Sequence, residues 1–336
     1  MASALRAALA RSGAAFDDDR ARALRAEVVA RGELLLPRVS SFPGSPLEIE
    51  WEEVARSIEL PPQSLARVFG FGYEQADALA RVAGSLPSLR GEVARLGALF
   101  NLGISLFDCL CDRFPARGAS LVTRINPRSL AASLNGHSIG DTAGSDPAIE
   151  GLVRLFDGLL QGARQVALQT GRAAALPPLL GLLEAMYQSE RFTLDHRRDT
   201  TPPTRAVLRA LRAKSVLPFV AMGHLAALAR PLDDGDEPPV LRRAATWAGE
   251  ALWITDDLVD LDDDHASGAW SRPLWMTART TGLDGPSSLA PALLERDAAR
   301  LASCLARLGS LPAPGAARLA TVVALAVAGW IAAIED

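Results

Sequence analysis

The sequence predicts an all-α protein, folded as a single-domain helical bundle with a central cavity. Apolar residues recur at helical spacing along most of the 336 residues, whereas the alternating runs typical of strands are scarce. Turn residues fill the breaks, and neither a repeat nor a low-complexity linker divides the chain. With 49% hydrophobic residues the chain can bury a large core, and helices packed around it leave room for a cavity.

The predicted elements follow one another along this one domain, residues 1–336. The N-terminal stretch "MASALRAALARSGAAF" is amphipathic and predicts a short helix, with residues 1–15 expected to be mobile. Further helices are predicted at 17–31, 62–69, 73–83, 88–113, 148–172, 175–191, 204–229, 239–261, 287–308 and 315–334. Breaks such as "RDTTPPT" and "GSLPAPG" separate them, because proline and glycine interrupt helical hydrogen bonding.

Composition limits the partners and the compartment. The net charge is only −4 and no basic stripe stands out, which argues against nucleic acid. The three cysteines are an odd number without zinc or disulfide spacing, so a cytoplasmic location is predicted. The most apolar segment, 319–334, is shorter than the roughly 20 residues that a membrane span needs. We therefore predict a buried terminal helix and no stable membrane span.

The stretch "WITDDLVDLDDDH", residues 253–265, carries the densest acidic cluster. Asp256 and Asp260 are four residues apart, with Asp257 beside them, so a helix brings them onto nearly one face. Carboxylates and water are the ligands that magnesium prefers, and diphosphate oxygens complete its octahedron. A solvated helix end is the alternative explanation, and it is the preferred one for residues 262–264.

A second acidic pair lies at the end of an apolar segment. Asp108 and Asp112 are also four apart, and carboxylates there need a charge partner, hydrogen bonds or a metal. Arg113 and Arg117 are candidate partners, and a plain salt bridge at a helix end is the alternative. The only lysine among 35 basic residues is Lys214, which suggests a chemical role for a compact positive charge, although chance is the alternative.

Three stretches together resemble the motifs of a known superfamily. "SLFDCLCD" resembles the first aspartate-rich motif of trans-prenyltransferases, "AKSVLPF" their lysine-threonine motif, and "WITDDLVD" their second aspartate-rich motif. They occur in the family's order and at similar spacing, and the resemblance covers roughly residues 90–275. The chain therefore resembles class I isoprenoid synthases, the all-α superfamily of trans-prenyltransferases and terpene cyclases.

The resemblance implies the isoprenoid synthase fold, a prenyl diphosphate as substrate, and magnesium, about three ions, as cofactor. It also allows a homodimer. The implied metal ligands are Asp108 and Asp112 on one wall of the cavity and Asp256, Asp257 and Asp260 on the opposite wall. The implied catalytic residues are Lys214, Arg117, Arg272 and Trp253, and the implied substrate-binding residues are Phe107, Arg113, Gln188 and Ser215. All of these roles require that the two acidic groups face each other across one hollow.

Departures from the family pattern bear on the reaction. Cys109 replaces the usual second aspartate of the first motif, and Trp253 stands where chain-elongating enzymes usually have glutamine. A basic N-terminal element for isopentenyl diphosphate is missing from the first 90 residues. These departures favour a terpene cyclase that ionises one allylic diphosphate. Chain elongation and a non-catalytic regulatory relative remain open.

Ionisation releases a carbocation, which needs a dry, aromatic-lined chamber. The candidate lining residues are Phe100, Phe107, Phe219, Trp247 and Trp253. Ordinary core packing is the alternative for each of them.

Overall fold

The computed structural model describes residues 2–12, 18–38, 41–42, 45–46, 49–139, 146–232, 237–281 and 291–335. Within these ranges the elements are helices, apart from one antiparallel pair of two-residue strands, β1 (Ser41–Phe42) and β2 (Ser45–Pro46). The all-α prediction is therefore confirmed for the described residues.

The helix bounds agree closely with the sequence-based ones, with one exception. The helices are α1 (Ala2–Arg11), α2 (Asp18–Leu35), α3 (Trp51–Ser57), α4 (Pro62–Ala83), α5 (Arg90–Arg113), α6 (Pro115–Arg124), α7 (Pro127–Leu134), α8 (Pro147–Gln169), α9 (Leu176–Asp195), α10 (Arg205–Leu228), α11 (Pro239–Val259), α12 (Leu261–Ser267), α13 (Arg272–Thr281), α14 (Pro291–Gly309) and α15 (Ala316–Glu335). The exception is the break predicted between 69 and 73, which is wrong because α4 runs through it. Five helices of the described ranges were missed by the sequence patterns, and each has ten residues or fewer, too few for a clear apolar period: α3, α6, α7, α12 and α13.

The chain divides into two compact units, which we call the middle unit and the terminal unit. The middle unit comprises Ala23–Glu184 and Ala221–Leu241, and the terminal unit comprises Met1–Arg22, Ala185–Val220 and Arg242–Asp336. The predicted single domain with a central cavity stays a prediction.

In the middle unit, α4 and α5 pack at a distance that only small residues allow. A Cβ at Gly97 would lie 2.2 Å from the Cβ of Ala76, and one at Gly72 would lie 2.5 Å from the Cβ of Asn101. Gly72, which lies in the break predicted within α4, is therefore a site of close helix packing. By length and composition, one described stretch, Pro87–Arg113, could cross a membrane, and 67% of its most apolar window is buried, as in a core helix.

In the terminal unit, helix α1 contacts α14 and α15. Leu5, Ala8 and Leu9 are buried in it, while residues 13–15 lie outside the described ranges. The mobility expected for residues 1–15 stays a prediction. Helix α15 buries Leu319 and Val323, which confirms that the apolar tail forms a buried helix over its described part. A hydrophobic core cluster of the terminal unit comprises Val207, Leu211, Val216, Trp253, Leu261, Trp270, Leu274 and Trp275.

Candidate functional site

The second aspartate-rich motif lies where α11 ends and α12 begins, in the terminal unit. Asp256 and Asp260 are exposed, whereas Asp257, between them, retains only 9% of its exposure. Asp262 and Asp263 are also exposed, in line with the solvated helix end expected for residues 262–264, whereas Asp264 is half-buried. One helical turn therefore presents two carboxylates to solvent and directs a third inwards.

The inward carboxylate of Asp257 contacts the start of the next helix. Its Oδ2 accepts a hydrogen bond of 2.9 Å from the main-chain N–H of Arg272, the first residue of α13. Burial raises the pKa of Asp257 to about 8, although the Arg272 N–H and the positive charge of Lys214 act in the opposite direction. Helix geometry explains the contact, because the first N–H groups of a helix have no partner within it.

Lys214, on α10, lies within electrostatic range of this acid. Its Nζ is 3.6 Å from Oε2 of Glu190 on α9, and its charge acts on Asp257. Of the nearby predicted substrate contacts, Gln188 is exposed and Ser215 is half-buried. Sequence reasoning missed Glu190, which is 8% exposed. The one sequence signal for Glu190 was its position, two residues after the predicted substrate contact Gln188 and on the helix that precedes the one with Lys214.

The predicted catalytic residues Arg272 and Trp253 have partners within the terminal unit. The guanidinium of Arg272 forms a buried ion pair with Asp297 of α14. Trp253 is 2% exposed, and the guanidinium carbons of Arg272 and Arg300 lie 6.0 and 5.9 Å from its ring centroid. A diphosphate contact by the Arg272 guanidinium would therefore compete with Asp297.

An ion-pair network centred on the buried Glu250 of α11 was also missed. Glu250 is 5% exposed and accepts a hydrogen bond of 2.6 Å from Nε of Arg212. It also pairs with Arg300 of α14. Its sequence signal was the single charge inside the apolar stretch "ATWAGEALWI", because a buried glutamate requires a partner.

Three buried polar groups on the segments that carry Asp257 and Arg272 lack a hydrogen-bond partner among the described residues. They are the indole N–H groups of Trp253 and Trp270 and the hydroxyl of Ser271, which is fully buried. Buried groups of this kind are uncommon in folded proteins and call for an explanation, such as a role in binding.

The first aspartate-rich motif lies on α5 in the middle unit. Asp112 is exposed and Asp108 is half-buried, so both side chains reach the surface, whereas Phe107 is 8% exposed and part of the core. Between the acids, burial raises the pKa of the Cys109 thiol above its usual value, and Arg113 acts against this shift. A neutral thiol is a weak magnesium ligand, so it offers nothing in place of the usual aspartate.

The two arginines near the first motif have partners within the middle unit. Arg113 lies 3.6 Å from Glu59. Arg117 donates from Nε and Nη2 to Asp146, both at 2.7 Å, and from Nη1 to the carbonyl of Ser57 at 2.7 Å. A diphosphate contact by Arg117 would require the release of Asp146.

The remaining candidate lining residues are part of the packed interior. Phe100 is 1% exposed and Phe219 is 9% exposed, while Trp247 is half-buried beneath the guanidinium of Arg307. Whether any of them lines a chamber stays a prediction.

The residues whose carboxylates face outwards and could hold magnesium are Asp256 with Asp260 and Asp108 with Asp112, while the metal role predicted for the buried Asp257 stays a prediction. Their carboxylate chemistry and exposure fit a cation that keeps several of its waters. Among the described residues, no three histidine, cysteine or acidic side chains lie close enough to enclose an ion by themselves. Since one pair belongs to each unit, the joint site stays a prediction.

No family model and no curated protein match the chain. Among solved structures, it is similar to linalool/nerolidol synthase from Streptomyces clavuligerus, with 17% identity over 84% of this chain and 94% of that one, at a TM-score of 0.44. The complex of that enzyme with 2-fluorogeranyl diphosphate gives 18% identity, coverages of 86% and 95%, and a TM-score of 0.44. Geranylgeranyl pyrophosphate synthase from Lactobacillus brevis gives 16% identity, coverages of 92% and 87%, and a TM-score of 0.46.

Proposed function

We propose that the chain is a class I terpene synthase, which ionises an allylic prenyl diphosphate and converts the carbocation to a terpene. The observation that carries the proposal is the position of Lys214, the only lysine, beside Glu190 and within electrostatic range of Asp257. Asp256 and Asp260 lie exposed on the same helical turn as that acid. The unpartnered indole N–H of Trp253 and hydroxyl of Ser271 lie on the segments that carry Asp257 and Arg272.

In the proposed reaction the chain's own residues bind and orient the leaving group. Lys214 supplies a compact positive charge to the diphosphate oxygens, so the negative charge that develops as the allylic C–O bond breaks is stabilised. Asp256, Asp260, Asp108 and Asp112 would hold magnesium, which, when bound, neutralises further charge on the diphosphate. The products are an allylic cation and free diphosphate, and loss of a proton or capture of water then gives a hydrocarbon or an alcohol.

Chain elongation and a non-catalytic role are the alternatives. Elongation would join isopentenyl diphosphate to the same cation, and the aspartates of the second motif are compatible with it. A non-catalytic relative would agree with Cys109 in the first motif and with the partner-bound guanidinium of Arg117.

The test is incubation with magnesium and geranyl, farnesyl, geranylgeranyl or longer diphosphates, each with and without isopentenyl diphosphate. We expect gas chromatography to detect a hydrocarbon or alcohol from one diphosphate alone. Longer diphosphates, formed only when isopentenyl diphosphate is present, would establish elongation instead. No turnover of any diphosphate would favour the non-catalytic role.

The role of the lysine is tested by Lys214→Met. We expect kcat to fall about 10²–10³-fold, as when one preorganised charge is removed from a developing anion. The matched control is Arg209→Met, an exposed arginine on the same helix, which should leave kcat within about twofold. Equal kcat values for both variants would remove Lys214 from the mechanism.

A further inference from the structure

The backbone contact of Asp257 ties the second aspartate-rich motif to α13. The main-chain N–H of Arg272 donates a hydrogen bond of 2.9 Å to Oδ2 of Asp257. The position of this carboxylate therefore depends on where α13 begins. Asp256 precedes it directly and Asp260 follows one turn later. Any displacement of the start of α13 would therefore be passed to the turn that carries the two exposed carboxylates.

The position of Arg272 is in turn fixed by its side chain. The guanidinium pairs with Asp297 of α14, and both side chains are only 6% exposed. The same guanidinium lies 6.0 Å from the ring centroid of Trp253, one turn before Asp257 on α11. Arg272 is thus held from two sides, by α14 through an ion pair and by α11 through the tryptophan ring.

Glu250 provides a comparison on the same helix. It is as buried as Arg272 and pairs with Arg212 and Arg300. It lies two turns before Asp257 on α11. The arginines that pair with Glu250 are 50% and 40% exposed, whereas both members of the Arg272–Asp297 pair are 6% exposed, and only that pair adjoins the motif.

We propose that Asp297 is a positioning residue for the second aspartate-rich motif, acting through Arg272 on Asp257. This rests on the proposed function, since it assigns the motif to magnesium and diphosphate. Asp297 touches neither ligand. It holds the Arg272 side chain so that the main-chain N–H points at Asp257, and the orientation of this turn sets the directions of Asp256 and Asp260. Partners that orient metal ligands in this way commonly contribute about 10–100-fold to metal affinity.

The test uses the full chain and two variants. Arg272→Met with Asp297→Leu replaces the buried pair by apolar side chains of similar size, a change that folded proteins often tolerate. It retains the main-chain N–H that contacts Asp257. Asp297→Asn is the second variant, because it preserves shape and removes only the charge. Glu250→Gln is the control on α11, since it removes a buried charge that pairs with arginines away from the motif.

Two readouts are measured: the affinity for magnesium in the presence of inorganic diphosphate, by calorimetry, and amide hydrogen exchange of residues 271–275. We expect the double variant to lose at least about tenfold in magnesium affinity and to exchange faster in this segment, with Asp297→Asn changing in the same direction. Glu250→Gln should change neither readout. If the double variant does not fold, Asp297→Asn alone decides the outcome.

Unchanged affinity in the Asp297 variants would overturn the proposal and leave the proposed function standing. An equal loss in Glu250→Gln would also overturn it, because general loosening of α11 would then explain the effect. If the unmodified chain binds no magnesium with diphosphate, the proposed function and the positioning role both fail.

Discussion

Asp256, Asp257 and Asp260 carry the same functional group in different surroundings. The first and last are exposed, while burial raises the pKa of Asp257 to about 8. Sequence spacing placed all three on one turn but gave no basis for distinguishing them. The direction of each side chain depends on which face of α11 the neighbouring helices cover, and that is a tertiary property.

The buried acid predicts a pH-dependent stability that one substitution removes. The ordinary pKa of an aspartate carboxyl group is 3.8. Between that pH and about 8, Asp257 therefore keeps its proton in the folded chain and has lost it in the unfolded chain. The contribution of Asp257 to the free energy of unfolding is therefore fully present below about pH 4 and is lost as the pH rises towards 8. The side chain of Asp257→Asn cannot ionise. The free energy of unfolding of this variant, relative to that of the unmodified chain, should therefore increase by up to about 1.4 kcal/mol per pH unit in this window.

The measurement is the free energy of unfolding in urea at several pH values between 4 and 8, with a chelator present. Asp256→Asn is the control, because its exposed side chain loses little solvation on folding. A stability difference between Asp257→Asn and the unmodified chain that stays constant over this range would contradict the assignment of a buried, protonated acid.

At the scale of elements, Arg117 joins three helices of the middle unit. It lies on α6, contacts the carbonyl of Ser57 at the end of α3, and pairs with Asp146, whose side chain also caps α8. Burial alone would raise the pKa of Asp146, but hydrogen bonds from Arg117 and from the N–H groups of Ile149 and Ala148 lower it below its usual value. The family resemblance implied a catalytic role for Arg117, and its distant partner Asp146 could not be identified from the sequence.

Arg117→Met should therefore lower stability by about 1.5–3 kcal/mol at pH 7, since charged hydrogen bonds are lost. A carboxyl group whose pKa is lowered on folding stabilises the folded chain at pH values above its ordinary pKa. This stabilisation is lost as the pH falls through the lowered pKa. The loss of stability in Arg117→Met should accordingly be smaller below about pH 4. Urea unfolding of both chains at pH 7 and pH 3 measures the difference. The exposed Arg128→Met serves as control. A deficit independent of pH would show that the ion pair with Asp146 is not its source.

The packing of α4 against α5 gives a second prediction at this scale. Gly97→Ala places a Cβ 2.2 Å from that of Ala76, so the helices must separate, and we expect a loss of about 1–3 kcal/mol. Gly91→Ala, on the same helix, meets no atom within 4 Å and should be neutral or up to about 1 kcal/mol stabilising. Thermal unfolding of both variants measures the difference. Equal stability of the two would contradict the close approach.

At the scale of the whole molecule, the proposed function predicts that its ligands stabilise the folded chain together. A ligand that binds only the folded state at 100 times its dissociation constant adds about 2.7 kcal/mol. We expect the midpoint of thermal unfolding to rise with magnesium and inorganic diphosphate in combination, and less with either alone. The Asp256→Asn and Asp260→Asn double variant should lose this rise.

The control for this prediction is Asp262→Asn with Asp263→Asn, which removes the same charge from exposed positions a few residues later. It should keep the rise in full. Loss of the rise in both double variants would indicate that net negative charge, rather than the Asp256 and Asp260 pair, is responsible.

The sequence by itself determined the helical class, most helix bounds and the three motif segments, because apolar periodicity and turn residues are local signals. It also identified Lys214 and the acidic pairs, since charge spacing on a helix is readable from numbering alone. The tertiary structure decided which side chains are buried and what they contact: Glu190 at Lys214, Asp297 at Arg272, and the Arg272 N–H at Asp257. These partners are distant in sequence, and only packing brings them together.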